Sequence, residues 1–161
     1  VFIAMLRSFD IRLLVDIRGL PGSNKYPQYN QEALQASLPA SGIAYLHLPD
    51  LGGRRRVHRD SHNTRWRNAS FRAYADYMET DDFARGIARL MDEAERQPTA
   101  YFCAEAVWWR CHRSLVSDYL KAHGWRVMHI TGVGRAEEHP YTQAARVVGN
   151  RVYYSDPGLF D

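Results

Sequence analysis

The sequence predicts an α/β protein: a three-layer, mainly parallel sheet flanked by helices, with a C-terminal hairpin-like tail. Three observations predict it. Short apolar runs alternate with segments of helical periodicity, the runs end abruptly in proline, glycine or charge, and the last thirty residues carry a turn signal between two short β-prone stretches.

The elements follow in order. "VFIAMLRSF" reads as a helix over about 1 to 9, and "RLLVDIR" (12 to 18) as a buried strand that leaves its sheet at "GLPGS". Asn30 is placed to cap "QEALQASL", which Pro39 and Gly42 close, and "IAYLHL" (43 to 48) is the next strand, ended by Pro49. Twenty residues without periodicity follow, "PDLGGRRRVHRDSHNTRWRN", too long for an ordinary connection. Helices are expected over "SFRAYADYM", with Phe71, Tyr74, Ala75 and Met78 on one face, and over "DDFARGIARLMDEAE", capped by Thr80 and acidic in its first turn. "TAYFCAE" (99 to 105) is a strand, "CHRSLVSDYLKAH" a helix stopped by Gly124, and "WRVMHI" (125 to 130) a strand. "ARVVGNRVYY" is a hairpin about Gly149 and Asn150.

With 161 residues and 45% hydrophobic composition, the chain is the size of one α/β domain, with 131–161 as a C-terminal extension of it. It begins inside a helix, so a segment upstream is expected to be missing. Its longest apolar runs fall far short of the ~20 residues a helical membrane span needs. With no secretory signal and only two cysteines, the expected compartment is a reducing cytoplasm, with both thiols free. The net charge of +3 is uneven: residues 54 to 72 hold seven Arg and one Asp, a local +6, leaving −3 for the rest.

In a parallel sheet the strand C-termini share one edge, where ligands usually bind. That edge is expected to gather Asp16 and Arg18, Pro49 and Asp50, Cys103 and Glu105, and His129 and Thr131. The stretch "CAEAVWWRCHR" (103 to 113) concentrates the chemistry. On a helical wheel, Leu115, Val116, Tyr119 and Leu120 define a buried stripe that His112 shares, while Cys111 and Arg113 flank it at about 110° and 90° on opposite sides. Arg113 and the first helical turn make an anion site, whose field would also favour a Cys111 thiolate. Glu105 could act as a base or bind Arg113, Arg18 or a ligand hydroxyl.

Each residue has a plainer reading. His112 and Cys103 could simply be packed, and Glu105 and Arg113 could be an ion pair that locks the loop. Their clustering is what points to a site. The eight-residue spacing of Cys103 and Cys111 does not suit a structural zinc knuckle or a Cys-x-x-Cys redox pair, and "AVWWR" is a poor phosphate cradle for a phosphatase loop. No metal or cofactor is expected.

The stretches "LLVDIRGLPGS", "YLHLPDLGGRR", "NASFRAYADYM", "CAEAVWWRCHRSLVSDYL" and "VMHI" together resemble the uncharacterised bacterial and archaeal family called domain of unknown function 488, over residues 1 to about 142. The resemblance implies an α/β domain in which Asp16, Arg18, Gly52, Gly53, Cys103, Glu105, Cys111, His112 and Arg113 are shared motif residues. Members usually begin with a short strand ending in Gly-His-Ser, and this chain starts after it. The resemblance supplies no reaction.

Two functions remain open, beside a third possibility, a redox sensor that uses Cys103 and Cys111. One is an enzyme in which Cys103, Glu105 and Cys111 are catalytic, and Asp16, Arg18, Gly52, Gly53, Arg54, His112 and Arg113 hold an anionic substrate, nucleotide-like or phosphorylated. The other is a non-catalytic nucleic-acid-binding module that uses the arginines of 54–72 for phosphates and Trp66, or the Trp108 and Trp109 pair, for stacking. No membrane partner is expected, and the oligomeric state is open.

Overall fold

Short apolar runs become strands wherever a breaker stops them. The computed structural model describes residues 1–22, 26–105 and 107–158. Ser23 of the turn expected after the first strand, Ala106 of the cysteine-rich stretch and the last three residues of the tail lie outside the described residues. The chain divides into two compact units: Val1–Gly53, Asp81–Ala104 and Ile130–Ala136 form the first, and Arg54–Thr80, Glu105–His129 and Glu137–Asp161 the second.

The first unit is built on a parallel sheet of β1 (Leu13–Asp16), β2 (Ala44–His47) and β3 (Thr99–Phe102), in the order β2-β1-β3. The register sets Asp16 beside both His47 and Phe102, so the three strands finish level. One more ladder bond continues on each side, Leu48 N–H to the Asp16 carbonyl (2.9 Å) and Ile17 N–H to the Phe102 carbonyl (3.0 Å). The central strand is buried along its whole length, which is why it reads as an apolar run, Leu13 to Val15, closed by Asp16. Helices α1 (Phe2–Arg7) and α2 (Gln31–Ser37) cover the Leu14 face, where Leu6, Leu34, Leu38 and Ile43 close the core. Fully burying each such side chain contributes about 1.5–3 kcal/mol.

The long helix of this unit is labelled α4 (Asp81–Arg96), after α3 of the second unit (Ala69–Tyr77). Asp81 and Asp82 occupy the first turn of α4, and Phe83, Ile87 and Leu90 bury its inner face. It packs on the turn Pro49–Leu51, and a Cβ on Gly86 would stand 2.9 Å from Asp50 Cβ. Thr80, which directly precedes α4, donates its hydroxyl to the Tyr77 carbonyl at 2.7 Å.

In the second unit, Asn68 caps α3 by accepting from the N–H groups of Ser70 and Phe71. Helix α5 (Arg113–Ala122) ends in a Schellman turn: Trp125 N–H donates to Leu120 O, Gly124 N–H donates to Lys121 O, and Gly124 has φ +94°. Trp125 is thus used in closing the helix. The following strand, β4 (Met128–Gly132), therefore begins three residues later than expected, and it pairs with β5 (Arg135–Glu138) in a separate two-stranded sheet. His129 and Thr131 accordingly lie outside the row of parallel strand ends. The hairpin β6 (Arg146–Val148) and β7 (Arg151–Tyr153) is antiparallel, as expected, and α5 packs against β7. No helix among the described residues is long and apolar enough to cross a membrane.

Gly52 stands where the chain leaves β2 and passes the backbone leaving β1. A Cβ there would meet Gly19 Cα at 2.6 Å and Gly19 N at 2.7 Å. Both obstacles are backbone, so neither can swing aside. Gly52→Ala is expected to cost about 3 kcal/mol in urea unfolding, whereas Gly22→Ala, with nothing within 4 Å, should be near neutral. Equal stability of the two variants contradicts the assignment.

Candidate functional site

The strand ends of the first unit are polar but internally satisfied. Asp16 is fully buried, and Arg18, 8% exposed, is folded back onto it. Arg18 Nε donates to Asp16 Oδ1 (2.9 Å) and its terminal nitrogen to Oδ2 (2.7 Å), a bidentate pair; that nitrogen also donates to the Tyr29 carbonyl (2.6 Å). The Phe102 ring lies under the guanidinium at 4.7 Å. Tyr45 donates its hydroxyl to Asp16 Oδ2 at 2.5 Å, and a His47 ring nitrogen donates to the Arg18 carbonyl at 2.6 Å. Burial, then the bond to Asp16, raise the Tyr45 pKa above its ordinary value. Burial opposes the Arg18 charge, and pairing with Asp16 more than offsets it. Gly52 and Gly53 pack their backbone against Gly19, and Cys103 is buried at the end of β3.

The second unit holds Arg54, Glu105, Cys111, His112 and Arg113. Arg54 is exposed with φ +60°, and Glu105 is exposed. The helix expected from Cys111 starts at Arg113: a 3-10 turn, Trp108–Arg110, comes first, Cys111 is extended (φ −129°, ψ 151°), and His112 is the N-cap. The helical-wheel position therefore does not apply to Cys111, whereas His112 keeps helical backbone (φ −56°, ψ −15°) and its carbonyl accepts the Val116 N–H at 3.2 Å. The Arg113 backbone N–H donates to Cys111 Sγ (3.4 Å), and His112 Nδ1 lies 3.4 Å from the same sulfur. The His112 ring rests on Tyr74, centroids 4.9 Å apart. Neither cysteine is free: each is disulfide-bonded, which corrects the expectation of two free thiols. Spacing alone carries no information on that pairing.

The basic loop is folded onto its own unit. Arg55 sits 3.6 Å over the Tyr77 ring, Arg65 Nε donates to the Ala144 carbonyl (2.7 Å), and Arg72 donates twice to the Trp66 carbonyl. Trp66 packs against Phe71 and Tyr154. Asp76, buried on α3, accepts from Ser61 Oγ (2.6 Å) and Asn63 Nδ2 (2.7 Å), which pins the loop without any arginine. Arg54, Arg56, Arg59 and Arg67 remain exposed.

Sequence reasoning missed a buried polar chain in this unit. Asp118 on α5 and His139 are both 0% exposed, and His129 is 7% exposed. His139 Nε2 donates to Asp118 Oδ1 at 2.8 Å, and His139 Nδ1 lies 2.8 Å from His129 Nε2. Asp118 also accepts from Thr142 N–H (3.0 Å), Thr142 Oγ1 (2.6 Å) and Tyr154 O–H (2.8 Å). Trp108 stacks flat on His129, rings 4.7 Å apart and 4° from parallel, and meets His139 edge-on. Burial, then His139 and Arg113, lower the His129 pKa to about 3. The available signal was Asp118 itself, an acid one helical turn from Leu115 on the apolar stripe. Among the described residues, no group of three His, Cys, Asp or Glu could hold a metal ion.

The three-stranded parallel sheet flanked by helices, with the antiparallel strand pairs near the C-terminus, defines a mixed α/β protein. The chain belongs to the family described as Domain of unknown function DUF488, whose model matches residues 1–120. The match stops short of the 142 expected and leaves His129 and His139 outside it. No curated protein and no solved structure matches the chain.

The His129 shift carries a sign. Its folded pKa lies below the ordinary 6.5, so the unfolded chain takes up this proton first as pH falls. Stability is expected to drop from pH 6.5 toward 3, and a His129→Gln variant should show a shallower acid limb in thermal unfolding. Superimposable limbs contradict the reading.

Proposed function

We propose that the protein is an enzyme acting on an anionic substrate, nucleotide-like or phosphorylated, with the Cys111-His112-Arg113 turn as its working centre. The observation that carries this reading is the sulfur of Cys111, which accepts the Arg113 backbone N–H and lies 3.4 Å from His112 Nδ1. Donors aimed at a cysteine sulfur stabilise its thiolate, the nucleophilic form. In the reducing cytoplasm we assign to the protein, thiol reductants release Cys103 and Cys111 from their disulfide-bonded state and make Cys111 available as nucleophile. Exposed Glu105 serves in proton transfer. We assign the anion-holding role to the Arg113 side chain, at the positive end of α5 and two residues from the Cys111 sulfur; Arg18 is paired with Asp16. Nucleic-acid binding by the 54–72 loop draws less support, because Arg55, Arg65, Arg72 and Trp66 are engaged within the unit.

The test compares two alkylating agents on the reduced full chain. Iodoacetate is anionic and iodoacetamide neutral, so their rate ratio at Cys111, followed by peptide mass mapping, reads the local field. Arg113→Ala is expected to lower that ratio roughly three- to tenfold. An unchanged ratio contradicts an anion site at Arg113.

A further inference from the structure

We propose that Asp118, His139 and His129 form a proton relay whose outer end, His129 Nδ1, accepts a proton from an O–H group of the substrate or of water. The substrate class, an anionic molecule held by Arg113, rests on the reading above; the relay itself rests on separate residues.

The hydrogen bonds set the direction. A carboxylate offers about four acceptor sites, and Asp118 meets four donors: His139 Nε2, the Thr142 N–H and hydroxyl, and the Tyr154 hydroxyl. His139 therefore keeps a proton on Nε2. In its neutral form it is an acceptor at Nδ1, so His129 must donate from Nε2 across the 2.8 Å contact. That leaves Nδ1 of His129 as an acceptor, on the residue of the two that is not wholly buried.

Proton balance follows from the same bonds. When an O–H gives its proton to His129 Nδ1, the Nε2 proton of His129 passes to Nδ1 of His139. His129 ends neutral with its proton on Nδ1. His139 ends as an imidazolium against the Asp118 carboxylate, and the substrate oxygen holds the electron pair. The charge comes to rest where a buried carboxylate balances it, and return of both protons resets the chain. The surroundings agree with this distribution. Burial, His139 and Arg113 all work against a charge on His129, and Lys121 donates to the His139 backbone carbonyl (2.6 Å), not to its ring. Tyr154 is held protonated by burial and by Asp118. Trp108 stacked on His129 fixes the ring plane, as a relay requires.

The experiment is nitrogen-15 NMR of the histidine rings in the full chain, with inorganic phosphate as the anion probe. At neutral pH, His129 should carry its proton on Nε2 with Nδ1 bare, and His139 should carry its proton on Nε2. A proton on His129 Nδ1 at neutral pH overturns the relay. Phosphate should shift the His129 signals in the parent and not in Arg113→Ala. If the protonation pattern holds and phosphate moves nothing, the relay stands and the anion reading falls; if phosphate binds but Nδ1 is protonated, the reverse. A kinetic check separates a relay from a static network. Acylation of His129 by diethyl pyrocarbonate should slow roughly tenfold or more in His139→Gln, with the tryptophan near-ultraviolet spectrum retained; equal rates overturn the proposal.

Discussion

One buried carboxylate organises the second unit. Asp118 is fully removed from water on a helix whose neighbours Leu115 and Val116 are equally buried. An unpaired carboxylate there would cost several kcal/mol, and four donors offset that cost. They come from the segment after β5, through His139 and Thr142, and from the end of the C-terminal hairpin, through Tyr154. Two stretches distant in sequence are thereby tied to one side chain. His129 and Trp108 complete the assembly, one by its bond to His139 and the other by stacking, so the loop leading to Cys111 and Arg113 is anchored on the same network.

The first unit solves a similar problem differently. Asp16 ends the central strand with no exposure, and Arg18, Tyr45 and its own turn satisfy it. There the polar groups face one another and nothing is left over, which suits a frame more than a reaction. The Asp118 chain has an outward end instead. A linear series of hydrogen bonds that starts on a sealed carboxylate and finishes on an imidazole nitrogen has a direction, and direction is what proton chemistry uses.

Much of the frame was legible from local signals. β1, β2 and β3 are short apolar runs with clear stops, α4 carries its acidic first turn, and Gly149-Asn150 marks the hairpin. β5 was not legible: Arg135–Glu138 is polar apart from Ala136 and offers no apolar alternation. The start of α5 was misplaced because apolar periodicity continues back to His112 while the backbone turns extended at Cys111. Of the site, the Cys-His-Arg turn was visible as a cluster of reactive types. The cysteines' oxidation state and the Asp118 chain were not, because both depend on residues brought together by folding. An acid on an apolar helical stripe is a local sign of such a chain, but its partners at 129, 139, 142 and 154 share no period with it.

The central claim is that the Asp118 carboxylate holds these stretches in place. Hydrogen exchange of Asp118→Ala against the parent chain tests it most directly. Removing one partner of a buried charged network costs about 3–5 kcal/mol, so protection should collapse together around 139–142 and 151–154. Unchanged protection in those segments would contradict the account.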